Sequence, residues 1–170
     1  MNVIVVTRSG LSLDSNEGTK NERETGFVRF IAATEMSFYE GVKLADTFFV
    51  CCSQNAENMG FVNKNFIAQL KPGVLIVNVA RGGMVNYDDV YDGLLSGAVG
   101  GLGTDVFSPE PFPLDAPILS HQNVIATPHI AGVTEVSYRN MAQKVAENVE
   151  RIMLGEAPVD AVNDVAAFRR

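Results

Sequence analysis

The sequence predicts an α/β protein of the Rossmann-like class, a doubly wound parallel sheet, and three observations carry that expectation. Short runs rich in β-branched and aromatic residues recur at Val3 to Val6, Thr47 to Cys52, Val74 to Val79, Gly101 to Val106 and Val124 to Ala126. Segments of helical composition alternate with them, the pattern of βαβ units joined by right-handed crossovers. The runs are continuously apolar, as expected of strands with helices on both faces.

Each element has its own local signals. The stretch from Leu11 to Glu24 is rich in Ser, Asn, Glu, Gly and Lys and reads as a surface loop. Glu35 to Leu44 and Asn63 to Leu70 have helical composition, and Pro72-Gly73 stops the second, since proline cannot donate to a continuing helix. Asn86 is placed to cap a helix over Asp88 to Leu95, with Asp88 and Asp89 in the first turn, where the helix dipole favours negative charge. Gly97 follows its end. The longest helix is expected from Thr134 to Leu154, with Val136, Met141, Val145, Val149, Ile152 and Met153 as an apolar stripe, ending at Gly155. The tail after Pro158 is expected to be extended and mobile. There is no internal repeat and no low-complexity tract.

At 170 residues and 46% hydrophobic, the chain is long enough to bury a core and is neither disordered nor collagen-like by composition. A formal charge of −7 without a basic cluster argues against nucleic acid or an anionic membrane as a partner. Cys51 and Cys52, the only cysteines, are adjacent, which suits neither a disulfide framework nor the C-x-x-C spacing of a metal site. They are expected to be reduced and to sit in the core or a pocket wall. The opening VIVV is too short for a signal peptide or a membrane span, so the expected location is cytoplasmic.

In such sheets ligands bind beyond the carboxyl ends of the strands. That directs attention to Thr7 to Ser9, Cys52 to Gln54, Ala80 to Gly83, Asp105 to Glu110 and Thr127 to Gly132. Taken singly, Arg81 could be a surface ion-pair residue, Glu110 a solvated loop residue between prolines, Asp105 an acid at a strand terminus and His129 a satisfied histidine. Ser53 and Ser108 also stand at strand exits, but neither lies in a G-x-S-x-G elbow.

Taken together, KPGVLIVNVARGGMVNYDDV, GGLGTDVFSPEP and NVIATPHIAGVTEVSYRNMA resemble the dehydrogenase family specific for D-isomers of 2-hydroxy acids, over about Asp46 to Val149. The resemblance implies that Arg81 holds a substrate carboxylate by two parallel hydrogen bonds. It implies that His129 is the general acid and base, a role suited to imidazole, and that Glu110 pairs with it and fixes its ring. It places Asp105 near the nicotinamide carboxamide, and Val79, Ala80, Ala131 and Gly132 along the nicotinamide wall. Cys52 and Ser53 fall in a further cofactor-contacting segment, although SQN stands here where the family has Pro-Leu-Thr.

The implied activity is hydride transfer between NAD or NADP and a small 2-keto or 2-hydroxy acid. The alternative is a non-catalytic nucleotide-binding or regulatory module of the same fold. No G-x-G-x-x-G follows any strand, so the first βα unit is expected to be absent and the sheet truncated at its amino end. After the first strand Thr7, Arg8 and Ser9 replace the usual ribose-binding acid, which favours NADP. Residues 1–133 are expected to be a partial nucleotide-binding domain, 134–155 a helix returning toward a substrate domain, and 156–170 a tail. The helix stripe and the free sheet edge suggest a homo-oligomer or association with another chain.

Overall fold

The structure, a computed structural model, describes residues 3–7, 28–32 and 35–162. The chain divides into two units, Met1–Pro128 and His129–Arg170.

In the first unit, β1 (Val3–Thr7) pairs in parallel with β2 (Val28–Ala32), from Val3 opposite Val28 to Thr7 opposite Ala32. Helix α1 (Glu35–Val42) follows. A four-stranded parallel sheet comes next, built in sequence order from β3 (Thr47–Val50), β4 (Val74–Asn78), β5 (Val99–Thr104) and β6 (Val124–Ala126). Between these strands lie the short helix α2 (Lys64–Ile67) and helix α3 (Tyr87–Ser96), with 3₁₀ turns at Gly82–Met84 and Pro117–Ser120. The strands expected from the sequence are all present, within a residue or two at their ends. Strand β2 was not expected. The predicted loop over 11–24 and the site residues Arg8 and Ser9 lie outside the described residues.

Capping chemistry accounts for the helix ends. The Asn63 side chain accepts from the amides of Asn65 and Phe66 and so starts the helix at Lys64; it is a single turn that ends at Ile67, short of the expected Leu70. The Asn86 side chain accepts from the Asp89 amide at 3.2 Å, and α3 stops at Gly97, whose φ of +79° costs a glycine little. Before α2, Val62 forms an isolated parallel bridge with Val85: the Val62 amide donates to the Met84 carbonyl and the Asn86 amide to the Val62 carbonyl, both at 2.9 Å.

Sheet register divides the strand residues by face. Phe48, Ile76, Leu102 and Val124 share one row, and Ile76 and Leu102 are buried in the core with Phe66, Ile67, Val90 and Leu94. Rings of Phe38, Phe48, Phe61 and Phe66 interlock there at centroid separations of 4.5 to 6.0 Å. The next row, Phe49, Val77, Gly103 and Ile125, faces the other way. Phe49 is 60% exposed, Leu75 47% and Ile125 75%. Among the described residues, cover by helices is seen on the first of these faces, and the second keeps the apolar composition of a parallel sheet.

In the second unit, helix α4 (Glu135–Met153) is capped by Thr134, whose hydroxyl accepts from the Ser137 amide at 3.1 Å. Its stripe of Val136, Met141, Val145, Val149, Ile152 and Met153 is exposed, as the sequence suggested. The described part of the tail differs from its expected free course. Asn148 holds it by accepting from the Val159 amide at 2.8 Å and donating to the Val159 carbonyl at 3.3 Å, and Arg151 Nε donates to the Ala157 carbonyl at 2.6 Å.

The one-sided core predicts asymmetric mutational costs along β4. Ile76→Ala should lower the unfolding free energy by about 2–5 kcal/mol, because it opens a cavity among fixed neighbours. Leu75→Ala, one residue away on the open face, should cost less than about 1 kcal/mol. Urea denaturation of the two variants checks this; equal costs would mean that the second face is covered in solution.

Candidate functional site

The exits of β3 and β4 border an open groove of about 540 Å³, lined by Cys51, Cys52, Ser53, Gln54, Val79, Ala80 and Arg81. It lies where a parallel sheet is expected to bind a ligand, at the carboxyl ends of its strands. Among the described residues of this lining, Arg81 is the one that carries a charge. Five of the sequence-derived candidates, Cys52, Ser53, Val79, Ala80 and Arg81, are thus brought together.

The turn carrying Arg81 is held from beneath by Asn78, the last residue of β4, which is 0% exposed. Its Oδ1 accepts from the Ala80 amide at 3.2 Å, and its Nδ2 donates to the Arg81 carbonyl at 3.1 Å. Both ends of the amide are used on the three residues that follow, so the backbone turns sharply and leaves the Arg81 side chain exposed. Arg81 Nη1 donates to the Ala80 carbonyl at 2.6 Å.

A buried polar cluster joins this turn to the exit of β5. The Tyr87 hydroxyl donates to the Val106 carbonyl at 2.5 Å, as does the Thr104 hydroxyl at 2.7 Å. Asn78 Nδ2 also reaches the Tyr87 oxygen at 3.4 Å. Burial raises the Tyr87 pKa above its ordinary 10.0, against hydrogen bonds from Thr104 and Asn78 that lower it, while the charge of Glu110 adds to the rise. Gly82 completes the junction: a Cβ there would collide with the Phe107 backbone, so glycine lets the two exits touch.

Asp105 directly follows β5 and is buried. Its Oδ1 accepts from the Thr127 hydroxyl at 2.5 Å, and its amide donates to the Asn78 carbonyl at 3.1 Å. Glu110 is exposed in a segment with cis bonds at Ser108-Pro109 and Glu110-Pro111. Its Oε1 accepts from the Phe107 amide at 2.8 Å, folding the segment back on itself. Thr7 ends β1, with its backbone opposite Ala32.

His129, Ala131 and Gly132 open the second unit, in a turn closed by Val133 amide to Ile130 carbonyl at 2.9 Å. His129 has φ +58°, a left-handed conformation that residues with a Cβ seldom adopt. Sequence reasoning missed Asn78 and Tyr87. The signal for Asn78 was available: a lone amide ending the apolar run VLIVN must find partners if it is buried. Among the described residues, no group of three or more His, Cys, Asp or Glu is placed to hold a metal ion.

The raised Tyr87 pKa has a stability consequence whose sign is fixed. The unfolded chain releases this proton near pH 10.0 while the folded chain retains it, so stability falls as pH rises from the unfolded value toward the folded one. Tyr87→Phe removes that contribution, costing about 1 kcal/mol at neutral pH through the lost hydrogen bond. Its stability should then decline less steeply above pH 10 than that of the parent. Denaturation midpoints across pH 8 to 11 for both proteins provide the check.

Comparison with known proteins agrees with this arrangement. Residues 13–131 match the family described as D-isomer specific 2-hydroxyacid dehydrogenase, NAD binding domain. A human glyoxylate reductase/hydroxypyruvate reductase is 36% identical over 112 residues, covering 66% of this chain and 34% of its own length. A D-3-phosphoglycerate dehydrogenase from Mycobacterium leprae is 38% identical over 128 residues, covering 75% of this chain and 24% of its own. The chain therefore spans only about a quarter to a third of these curated relatives. Among solved structures, a D-isomer specific 2-hydroxyacid dehydrogenase from Xanthobacter autotrophicus Py2, in complex with NADPH and MES, superposes with a TM-score of 0.74 at 28% identity, over 96% of this chain and 61% of that one. With a family match across more than two thirds of its residues, the chain belongs to the D-isomer specific 2-hydroxyacid dehydrogenase family, through its NAD binding domain.

Proposed function

We propose that this chain is the cofactor- and substrate-facing portion of an NAD(P)-dependent oxidoreductase that interconverts small 2-keto and 2-hydroxy acids. The observation that carries the reading is the exposed Arg81 in the groove at the exits of β3 and β4, within the family-matching stretch. The groove suits the nicotinamide end of the cofactor: about 540 Å³ is the size of a small-molecule cleft, Val79 and Ala80 offer an apolar wall, and Ser53, Gln54 and Arg81 offer polar groups. Bound NAD(P)H supplies the hydride.

The chain's own residues supply binding and proton transfer. Arg81 anchors the substrate carboxylate through its guanidinium fork, fixing which face of the keto carbon is presented. His129 gives the carbonyl oxygen its proton in reduction and removes it in oxidation. Glu110 is assigned the supporting carboxylate on its SPEP motif. Cys52, Ser53, Val79, Ala80, Asp105, Ala131 and Gly132 are assigned cofactor contacts, with Thr7, Arg8 and Ser9 on the adenosine side. We take residues 1–133 as nucleotide-binding, 134–155 as the connecting helix and 156–170 as a tail. The exposed stripe on α4 supports a homo-oligomer, which light scattering tests, and the two free thiols suit a reducing compartment such as the cytoplasm.

Two measurements test the reading. With glyoxylate or hydroxypyruvate, the chain should oxidise NAD(P)H, and His129→Gln should lower kcat by about 10²- to 10⁴-fold. Arg81→Lys should raise KM for the keto acid, because an ammonium cannot form the two parallel bonds. Absence of both turnover and nucleotide binding would defeat the proposal.

On cofactor choice, Arg8 and the neighbouring hydroxyls favour a 2′-phosphate, so NADPH should bind more tightly than NADH. Arg8→Ala should narrow that ratio by weakening NADPH alone. A parent chain that prefers NADH would overturn this assignment and leave the dehydrogenase reading intact.

A further inference from the structure

The buried amide at the end of β4 is linked by hydrogen bonds to the guanidinium of Arg81. Asn78 Oδ1 accepts from the Ala80 amide at 3.2 Å, and the Ala80 carbonyl in turn accepts from Arg81 Nη1 at 2.6 Å. With Nη1 seated there, the Nε and Nη2 edge remains to present two parallel N–H donors, the arrangement that matches a carboxylate. Asn78 Nδ2 donates to the Arg81 carbonyl at 3.1 Å and reaches the Tyr87 oxygen at 3.4 Å. The Tyr87 hydroxyl donates to the Val106 carbonyl at 2.5 Å, and its ring packs 5.4 Å from that of Phe107, whose amide donates to Glu110 Oε1 at 2.8 Å. Asn78 and Tyr87 are both buried and neither lines the groove, so an effect of either on a bound substrate must pass through Arg81 or through the segment that leads to Glu110.

We propose that Asn78 and Tyr87 are positioning residues for substrate binding: Asn78 fixes the peptide on which the Arg81 guanidinium is seated, and the Tyr87 hydroxyl fixes Asn78 against the strand exit that leads to Glu110. The inference rests on the reading of Arg81 as the carboxylate anchor. A planar fork binds a carboxylate by two parallel bonds only when it is held in the right plane, and a displacement of about 1 Å in such a group can cost about 10²-fold in rate. The device needs an amide at position 78, because one end must accept from Ala80 while the other donates to the Arg81 carbonyl. It needs a hydroxyl at position 87, because the ring of a phenylalanine would keep the packing and lose the tie to Val106.

Steady-state kinetics of the full chain test this. Tyr87→Phe removes one oxygen, and Asn78→Leu keeps the volume while removing both polar ends. Each should raise the KM for glyoxylate or hydroxypyruvate at least about fivefold while kcat changes less, the split expected when binding of the substrate carboxylate is impaired. In an Arg81→Lys background, which has no fork to orient, each should change KM by less than about twofold. Ile76→Ala loosens the same strand from its core side and should leave KM within about twofold of the parent, which separates positioning from general destabilisation. If Asn78→Leu does not fold, Tyr87→Phe and its double variant with Arg81→Lys decide. The inference is overturned if Tyr87→Phe leaves KM unchanged, if its effect is fully additive with that of Arg81→Lys, or if Ile76→Ala raises KM as much. A parent chain without turnover defeats the dehydrogenase reading, and calorimetric titration with oxalate then decides the inference separately. Oxalate binding that Arg81→Lys abolishes and Tyr87→Phe weakens supports it, and any other result overturns it.

Discussion

The arrangement at the strand exits depends on one buried amide. Asn78 ends a strand whose neighbours are apolar, and an uncompensated amide there would cost roughly 1–3 kcal/mol in desolvation. It is compensated at both ends, by the Ala80 amide and the Arg81 carbonyl. That satisfaction dictates the shape of the following turn. The same Nδ2 reaches Tyr87, whose hydroxyl ends on Val106, and the Asn78 carbonyl receives the Asp105 amide. The exits of β4 and β5 are therefore fixed to each other by polar groups withdrawn from water, where such bonds are stronger and each missing partner costs more.

Close packing reinforces what the hydrogen bonds specify. Gly82 meets the Phe107 backbone, and the Tyr87, Phe107 and Phe112 rings stack beside that contact at centroid separations of 4.6 to 5.5 Å. A side chain at position 82 would push the Arg81 turn away from the segment that leads to Glu110. The glycine in NVARGG thus has a steric reason independent of any ligand.

Much of this was legible in the sequence, and the exceptions have physical reasons. Strands β3 to β6 and helix α3 announced themselves through apolar runs, the Asn86 cap and the Gly97 stop, because those signals are local. Strand β2 was missed because VRFIA carries an arginine and follows a long polar stretch, so its pairing with β1 depends on a partner more than twenty residues away. The groove residues were found from strand ends and motifs, since ligand position follows topology in a parallel sheet. Tyr87 escaped because it begins a helix, where sequence suggests a capping turn and gives no indication that the hydroxyl reaches a carbonyl nineteen positions on. The hold of Asn148 on the tail was likewise invisible: an asparagine in a helix is usually read as surface.

His129 shows most clearly where local preference was overridden. Its backbone sits at φ +58°, a region that glycine enters freely and that costs a residue with a Cβ on the order of 1–2 kcal/mol. If the turn from Pro128 into Ile130 required only that conformation, glycine would satisfy it with less strain, and Gly132 stands three residues on in the same segment. Histidine, like asparagine and aspartate, enters this region more readily than most residues with a Cβ, and Asp160 adopts it as well at φ +56°. Strain held at a residue with acid–base capability is the usual companion of a functional constraint. The conformation is a property of the backbone, and the role proposed for His129 rests on its motif.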